Sequence, residues 1–222
     1  VIVERSIDPS WLSNAYLIGD EPGGTAVFVD SGAPMRPLFD AVSSNGLTVT
    51  ALLTTHADAD HIAGDSAIIG RYDCRVVKGD LETGGLSIRA LPTPGHKDDH
   101  LAFVVNDELC CSGDVLFKDA VGGGDFEQIR RSVMDVLMQL PPETRVLPGH
   151  TGETTIGREW EENPFVRVWR GAEPEGTERV RVGGEEATLV VWSPDYDGKG
   201  KAWVRFADGR DAIVGGSRVE RG

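Results

Sequence analysis

The stretch Thr55-His56-Ala57-Asp58-Ala59-Asp60-His61 (THADADH, 55–61) places two imidazoles and two carboxylates inside one short segment. Where a chain is extended or looping, alternate residues point the same way. His56, Asp58 and Asp60 therefore converge with only alanines between them, while His61 points elsewhere and reaches a second ion. Imidazole nitrogen together with carboxylate oxygen suits zinc, iron or manganese. An acidic surface loop would not explain why a histidine brackets it at each end. The segment follows TVTALLTT (48–55), a nearly continuous apolar run of the kind expected for a strand buried on both faces. Open α/β sheets hold their ligands just beyond such strand ends.

Working outward, all five histidines (His56, His61, His96, His100 and His150) lie in short polar segments after an apolar strand or a turn. A lone histidine is ordinarily a surface or hydrogen-bonded core residue, but five beside Asp and Gly at strand ends fit that poorly. Pro-Gly-His occurs at 94–96 and again at 148–150. In each, the glycine lets the backbone approach closely and aims the imidazole of His96 or His150. Asp114, in SGD (112–114) after the strand ELCC, is placed to bridge two cations. Alone it would read as a turn or helix-cap aspartate; beside the other segments it reads as a ligand.

The remaining text alternates short strands and helices. VIVERSI (1–7), NAYLIGD (14–20) and TAVFVDSG (25–32) are β-rich runs separated by the Gly/Pro turns EPGG and SGAP. Met35, Leu38, Phe39 and Val42 recur at helical spacing before Asn45-Gly46, and IAGDSAIIG (62–70) also reads as helical. RVVKG (75–79), SIRALPTPG, LAFVV, ELCCSG and RVLPGH (145–150) are further strands. A second helix is expected from Asp125 to about Leu140, with an Asp125/Gln128 capping box and Pro141-Pro142 as its stop. This order predicts a layered α/β sandwich over residues 1–165. A linker at 166–177 and a small all-β, barrel-like appendage at 178–222 follow, the latter valine-rich with Gly-Gly, Asp-Gly and Lys-Gly turns. Its Trp192, Tyr196, Trp203 and Phe206 read as its core; covering the active site or supporting a homo-oligomer is the alternative.

With 36 acidic against 22 basic residues the formal charge is −14. Nucleic acid is not an expected partner, because phosphates are bound through basic patches. Cys74, Cys110 and Cys111 include no CxxC pair and no even disulfide set, so a reducing, cytoplasmic compartment is expected. No apolar run approaches the length of a membrane span and no signal-peptide pattern opens the sequence, so no membrane partner is expected either.

Taken in order, these segments resemble the metallo-β-lactamase fold superfamily, and within it the glyoxalase II-like (hydroxyacylglutathione hydrolase-like) branch. The family pattern is HxHxDH, a PGH histidine, a GD aspartate and a final histidine. SNAYLIGD and AVFVDSG resemble its opening strands, and LPGHTGETTIGREWEENPF (147–165) resembles the ending of small bacterial members. The resemblance implies an αββα sandwich and two divalent metal ions, zinc and/or iron, with manganese a further candidate. Carried over by position, His56, Asp58 and His96 would hold one ion and Asp60, His61 and His150 the other, with Asp114 bridging.

Two departures matter. Asp58 stands where the family pattern has its second histidine, which resembles the H-x-E-x-D-H variation of di-iron flavodiiron proteins and implies a harder ion at that position. In LFKDAVGGGDF an arginine that relatives often carry near Gly123 is absent, leaving Lys118 as the candidate to meet an acidic part of the substrate.

The expected reaction is hydrolysis of a thioester or ester of a small-molecule substrate. The metal centre supplies the hydroxide at neutral pH, and Asp60 or Asp114 orients it. His100 is expected to hydrogen-bond a ligand carboxylate. The competing expectations are a mononuclear iron persulfide dioxygenase using His56, His96 and Asp114, and a binding protein whose site Asp58 has disabled.

Overall fold

In the computed structural model, which describes residues 1–222, strand alternation sorts side chains onto two faces. In the strand Asn14–Gly19, Ala15 and Leu17 pack towards helices, while Tyr16 and Ile18 pack towards a second sheet. Phe28 against Val27 and Val29 repeats the pattern in Thr25–Val29. Five strands (Ile2–Ile7, Asn14–Gly19, Thr25–Val29, Thr48–Leu53, Arg75–Val77) pair in chain order, the first three antiparallel and the last three parallel.

The facing sheet runs Thr154–Thr155, Arg145–Pro148, Leu109–Gly113, Leu101–Val105, Leu86–Pro92, Leu81–Thr83, and only its Arg145–Pro148/Leu109–Gly113 pair is parallel. Between the sheets Ile18, Val29, Leu53, Phe103 and Cys111 share one core. Helices Arg36–Ser44 and Asp65–Tyr72 cover one outer face through Leu38, Val42 and Ile68; Phe126, Ile129, Val133 and Phe165 cover the other. This is the α/β sandwich read from the sequence. Cys110 faces the helices and Cys111 the inter-sheet core, and both are free thiols.

Several elements differ from expectation for local reasons. The helix over 62–70 is two, Ala59–Ile62 and Asp65–Tyr72, because the Gly64 N–H leaves the helix and donates to the Ser31 carbonyl at 3.0 Å. The helix over 125–140 is regular only across Phe126–Arg131; a π turn at Ser132–Val136 and a 3-10 turn at Leu137–Gln139 follow. The wider turn puts both Leu137 and Met138 in the core. Asp125 accepts from the Gln128 N–H as a cap, but its own N–H donates to Gly95, so the expected box closes on one side only. Helix Pro164–Trp169 runs through the first four positions read as linker.

The C-terminal residues form a five-stranded antiparallel sheet in the order Asp211–Gly215, Lys201–Phe206, Glu185–Ser193, Glu178–Val182, Val219–Arg221. Its two edge strands do not pair with each other, so it is an open sheet and not a closed barrel. One face has a small core of Val180, Leu189, Val204 and Val214. A register shift between Leu189 and Val191 turns both Val190 and Val191 to the other side, where with Trp203 and Ile213 they join the main helical core. The Trp203 ring lies 4.9 Å from that of Phe126. No helix is long and apolar enough to cross a membrane.

Because Trp203 belongs to the main core, Trp203→Ala is expected to lower the unfolding free energy of the whole chain by about 3–5 kcal/mol. Urea titration followed by far-UV and near-UV signals should show one transition at lower denaturant, not a separate early melting of the C-terminal sheet.

Candidate metal centre

Parallel pairing brings strand ends, and the residues after them, to the same edge. Asp30 and His56 follow the parallel strands Thr25–Val29 and Thr48–Leu53; Asp114 and His150 follow the parallel pair Leu109–Gly113 and Arg145–Pro148. His96 comes from the loop after Leu86–Pro92, which is tied to the helix behind it: the Gly95 carbonyl accepts from the Asp125 N–H at 2.8 Å and the Pro94 carbonyl from the Ser132 hydroxyl at 2.6 Å. His61 is buried in the single turn Ala59–Ile62. Gly149 is required for close approach, since a Cβ there would overlap the Asp114 carboxylate and meet the His61 ring at 2.7 Å.

Four imidazoles are oriented alike. Each has Nδ1 turned outward to an oxygen acceptor: His56 to Thr55 Oγ1 (3.0 Å), His61 to Asp30 Oδ2 (2.8 Å), His96 to the Gly123 carbonyl (2.9 Å) and His150 to the Leu12 carbonyl (3.0 Å). The Thr55 hydroxyl donates onward to Asp30 at 2.8 Å, which leaves it free to accept from His56. With Nδ1 occupied, each ring presents Nε2 to a common centre.

At that centre Nε2 and carboxylate oxygens stand apart at distances too long for charge-assisted hydrogen bonds. Asp58 Oδ2 lies 3.7 Å from His56 and 3.3 Å from His96. Asp60 Oδ2 lies 3.7 Å from His61 and 3.4 Å from His150. The Asp114 carboxylate reaches His61 at 3.4 Å, His150 at 3.3 Å and His96 at 3.9 Å. His56 Nε2, His61 Nε2 and Asp114 Oδ1 are buried with no hydrogen-bond partner. Direct pairs would close to about 2.8 Å, whereas a tetrahedral ion with bonds of about 2.1 Å sets its ligand atoms about 3.4 Å apart. The donor set and its spacing therefore fit metal cations. His56/Asp58/His96 and Asp60/His61/His150 form two such groups, and Asp114 forms a third with His56 and His61.

The electrostatics also favour cations. Burial would lower the His61 pKa, but the Asp30 and Asp114 carboxylates outweigh it and lift it to about 11. His150 is likewise lifted against burial, to about 9, by Asp114 and Asp60. Burial and the neighbouring His61 lower His56 to about 4. Burial would raise Asp114, yet contact with His150 and His61 holds it well below the usual carboxylate range.

The sequence reading missed some residues that hold this arrangement and misplaced others. Asp30 accepts from the Thr55 N–H, the Thr55 hydroxyl and His61, and nothing in VFVDSG distinguished it from a turn aspartate. Lys97 pairs with Asp58 Oδ1 at 2.8 Å, leaving Oδ2 for His56 and His96. His100 does not bond a carboxylate. Its Nε2 accepts from the Asp114 backbone N–H at 3.0 Å and its Nδ1 donates to Thr93 Oγ1 at 2.8 Å, so the ring has no free nitrogen for an ion. Gly113, at φ +49°, makes room for it, since a Cβ there would meet His100. Lys118 is exposed, and among Lys and Arg only Lys97 is paired with one of these aspartates.

Comparison with known proteins agrees with this geometry. Residues 9–84 match the metallo-beta-lactamase superfamily. The chain is 32% identical over 193 residues to the hydroxyacylglutathione hydrolase of Thiobacillus denitrificans, covering 78% of this chain and 68% of that protein. ETHE1 from Myxococcus xanthus superposes with a TM-score of 0.68 at 30% identity, covering 76% of this chain and 85% of the other. The chain belongs to the metallo-beta-lactamase superfamily. TTHA1623, solved in a di-iron-bound form, superposes with a TM-score of 0.62 at 29% identity over 74% of this chain and 100% of that one. This superfamily binds divalent metals and includes metallo-hydrolases.

Two outcomes follow. Asp30→Asn removes the anionic acceptor behind His61 and is expected to weaken metal retention about 10–100-fold, read as metal per chain after dialysis against a chelator. His61 and His150, at about 11 and about 9, hold protons at neutral pH in the ion-free protein. Loading at pH 7 should therefore release protons, and affinity should rise with pH through about 9, as His150 loses its proton, and on towards about 11, as His61 loses its own. Calorimetry in two buffers of different ionisation heat checks this.

Proposed function

We propose that the chain is a metal-dependent hydrolase of thioester or ester substrates, working at a centre for two divalent cations. Zinc and/or iron are the proposed ions, with manganese a competitor. The observation that supports it is the pair of groups His56/Asp58/His96 and Asp60/His61/His150, in each of which the ligand-type atoms lie within 4.8 Å of one another and both of which Asp114 approaches through an imidazole. His56, Asp58 and His96 would hold one cation, Asp60, His61 and His150 the other, and Asp114 would lie between. Bound there, such ions acidify water and offer a positive field to a developing oxyanion near neutral pH.

The chain's own residues set the conditions for that chemistry. Asp60 is lowered by its contact with His150, so it stays ionised and can orient a water by accepting a hydrogen bond from it. Asp58 is anionic where the family pattern has a neutral imidazole, which favours a harder ion on that side. Lys97 fixes which of its two oxygens faces the centre. No serine or cysteine nucleophile is called for. The likeness to hydroxyacylglutathione hydrolase supports a thioester as the substrate class.

A second reading, a mononuclear iron dioxygenase acting on persulfides through His56, His96 and Asp114, draws support from the likeness to ETHE1 and from the Lys97–Asp58 pair, which gives Asp58 a partner other than an ion. Elemental analysis of wild type and Asp58→His, with thioester hydrolysis and oxygen uptake measured on the same samples, separates the two. Two ions per chain with thioesterase activity is the expected result, and Asp58→His should shift the occupancy towards zinc. One iron per chain with oxygen uptake would establish the second reading instead. A wild-type chain that takes up no metal would sink both.

A further inference from the structure

The C-terminal sheet reaches the metal centre through the connection between strands Glu185–Ser193 and Lys201–Phe206. From that connection Tyr196 lays its ring flat on the imidazole of His150, with centroids 4.1 Å apart and planes inclined by 12°. Phe117 meets both rings edge-on, 5.8 Å from His150 and 5.9 Å from Tyr196. The Lys201 ammonium stands 5.6 Å from the Tyr196 ring centre and 5.9 Å from that of Phe117. It pairs with Asp195 at 2.9 Å, and the two side chains are only 11% and 4% exposed.

These contacts do more than join two strands. An ion pair taken out of water is costly unless its geometry is tightly held, and this one supports the rings that cover His150. The hydrogen bond from His150 Nδ1 to the Leu12 carbonyl fixes one point of the imidazole but leaves it free to rock about that line. A face-on ring and an edge-on ring together remove that freedom. The remaining nitrogen, Nε2, then stays directed at Asp60 and Asp114, 3.4 and 3.3 Å away. Of the four imidazoles facing the centre, His150 is the one held by aromatic rings other than histidine.

We propose that Tyr196 is a positioning residue of the metal centre, which makes the C-terminal sheet a working part of the site: its ring fixes the plane of His150 and so the affinity of the cation shared with Asp60 and His61. The inference rests on the two-cation reading above, and its test reads metal binding, not activity.

The experiment titrates the full-length, metal-stripped chain with zinc alone, comparing wild type, Tyr196→Ala, Tyr196→Phe and, as a control in the same connection, Lys199→Ala. Lys199 is exposed and pairs only weakly with Asp197, at 3.9 Å. Expected are two zinc equivalents in every variant, with one of them bound about tenfold more weakly in Tyr196→Ala. Tyr196→Phe, which keeps the ring face, should match wild type, as should Lys199→Ala. Should Tyr196→Ala fail to fold, Tyr196→Leu keeps apolar bulk without a ring face and reads the same quantity. The inference is overturned if the variant lacking the ring binds both equivalents as wild type does. An equal loss in Tyr196→Phe also overturns it, as does a lowered melting temperature with unchanged zinc affinity. A wild type that binds no zinc or other divalent cation defeats the two-cation reading itself, a result distinct from these.

Discussion

Asp114 is a buried carboxylate that stays ionised, and the surrounding structure follows from what that requires. A charge taken out of water must be paired or must bind a cation. Asp114 is met by His61, His96 and His150, and its backbone N–H is held by His100. With Asp30, Asp58 and Asp60 close by, the cluster has four carboxylates and a single lysine, Lys97, paired with it. Without cations the balance is met by protons on His61 and His150. Divalent ions would replace those protons and also occupy the gaps of 3.3–3.9 Å that hydrogen bonds do not close.

The architecture makes this clustering affordable because two parallel strand pairs, one in each sheet, end at the same edge. Residues far apart in the chain thus become neighbours, as Asn14 and Tyr16 show by bonding the Pro148 carbonyl at 2.9 and 2.8 Å. Behind the ligand-type atoms lies a second ring of acceptors, Thr55, Asp30, Gly123 and Leu12, each fixing an Nδ1. Three of the four come from outside the segments that supply the imidazoles. Orientation at the centre is therefore a property of the whole sandwich.

Two further features bear on this cluster. Asp58 sets a short, charged group beside the imidazoles of His56 and His96, and Lys97, next to His96, holds one of its oxygens. The C-terminal sheet shares Trp203 and Ile213 with the main core and places Tyr196 on His150. The four aromatics read as one small core are thus divided: Trp203 packs in the main core, Tyr196 stacks at the metal centre, Phe206 is half-buried and Trp192 is exposed.

That THADADH, the two PGH turns and SGD would meet was legible from sequence because side chains of metal-ligand type can converge only from short, glycine-relieved segments at strand ends. Such segments carry their chemistry in their own residue types. Strand alternation was legible for the same reason, since period-two burial is written locally. The roles of Asp30, Lys97, Tyr196 and the carbonyls of Leu12 and Gly123 were not, because a hydrogen-bond acceptor or a stacked ring acts through proximity and any turn can offer one. His100 shows the same limit from the other side: it was expected to hydrogen-bond a ligand carboxylate, and the fold gave it a backbone N–H. Sequence alone determined which groups can bind a cation. Only the tertiary structure decided how their rings are turned, because orientation is set by contacts between residues as far apart as Leu12 and His150, or His150 and Tyr196.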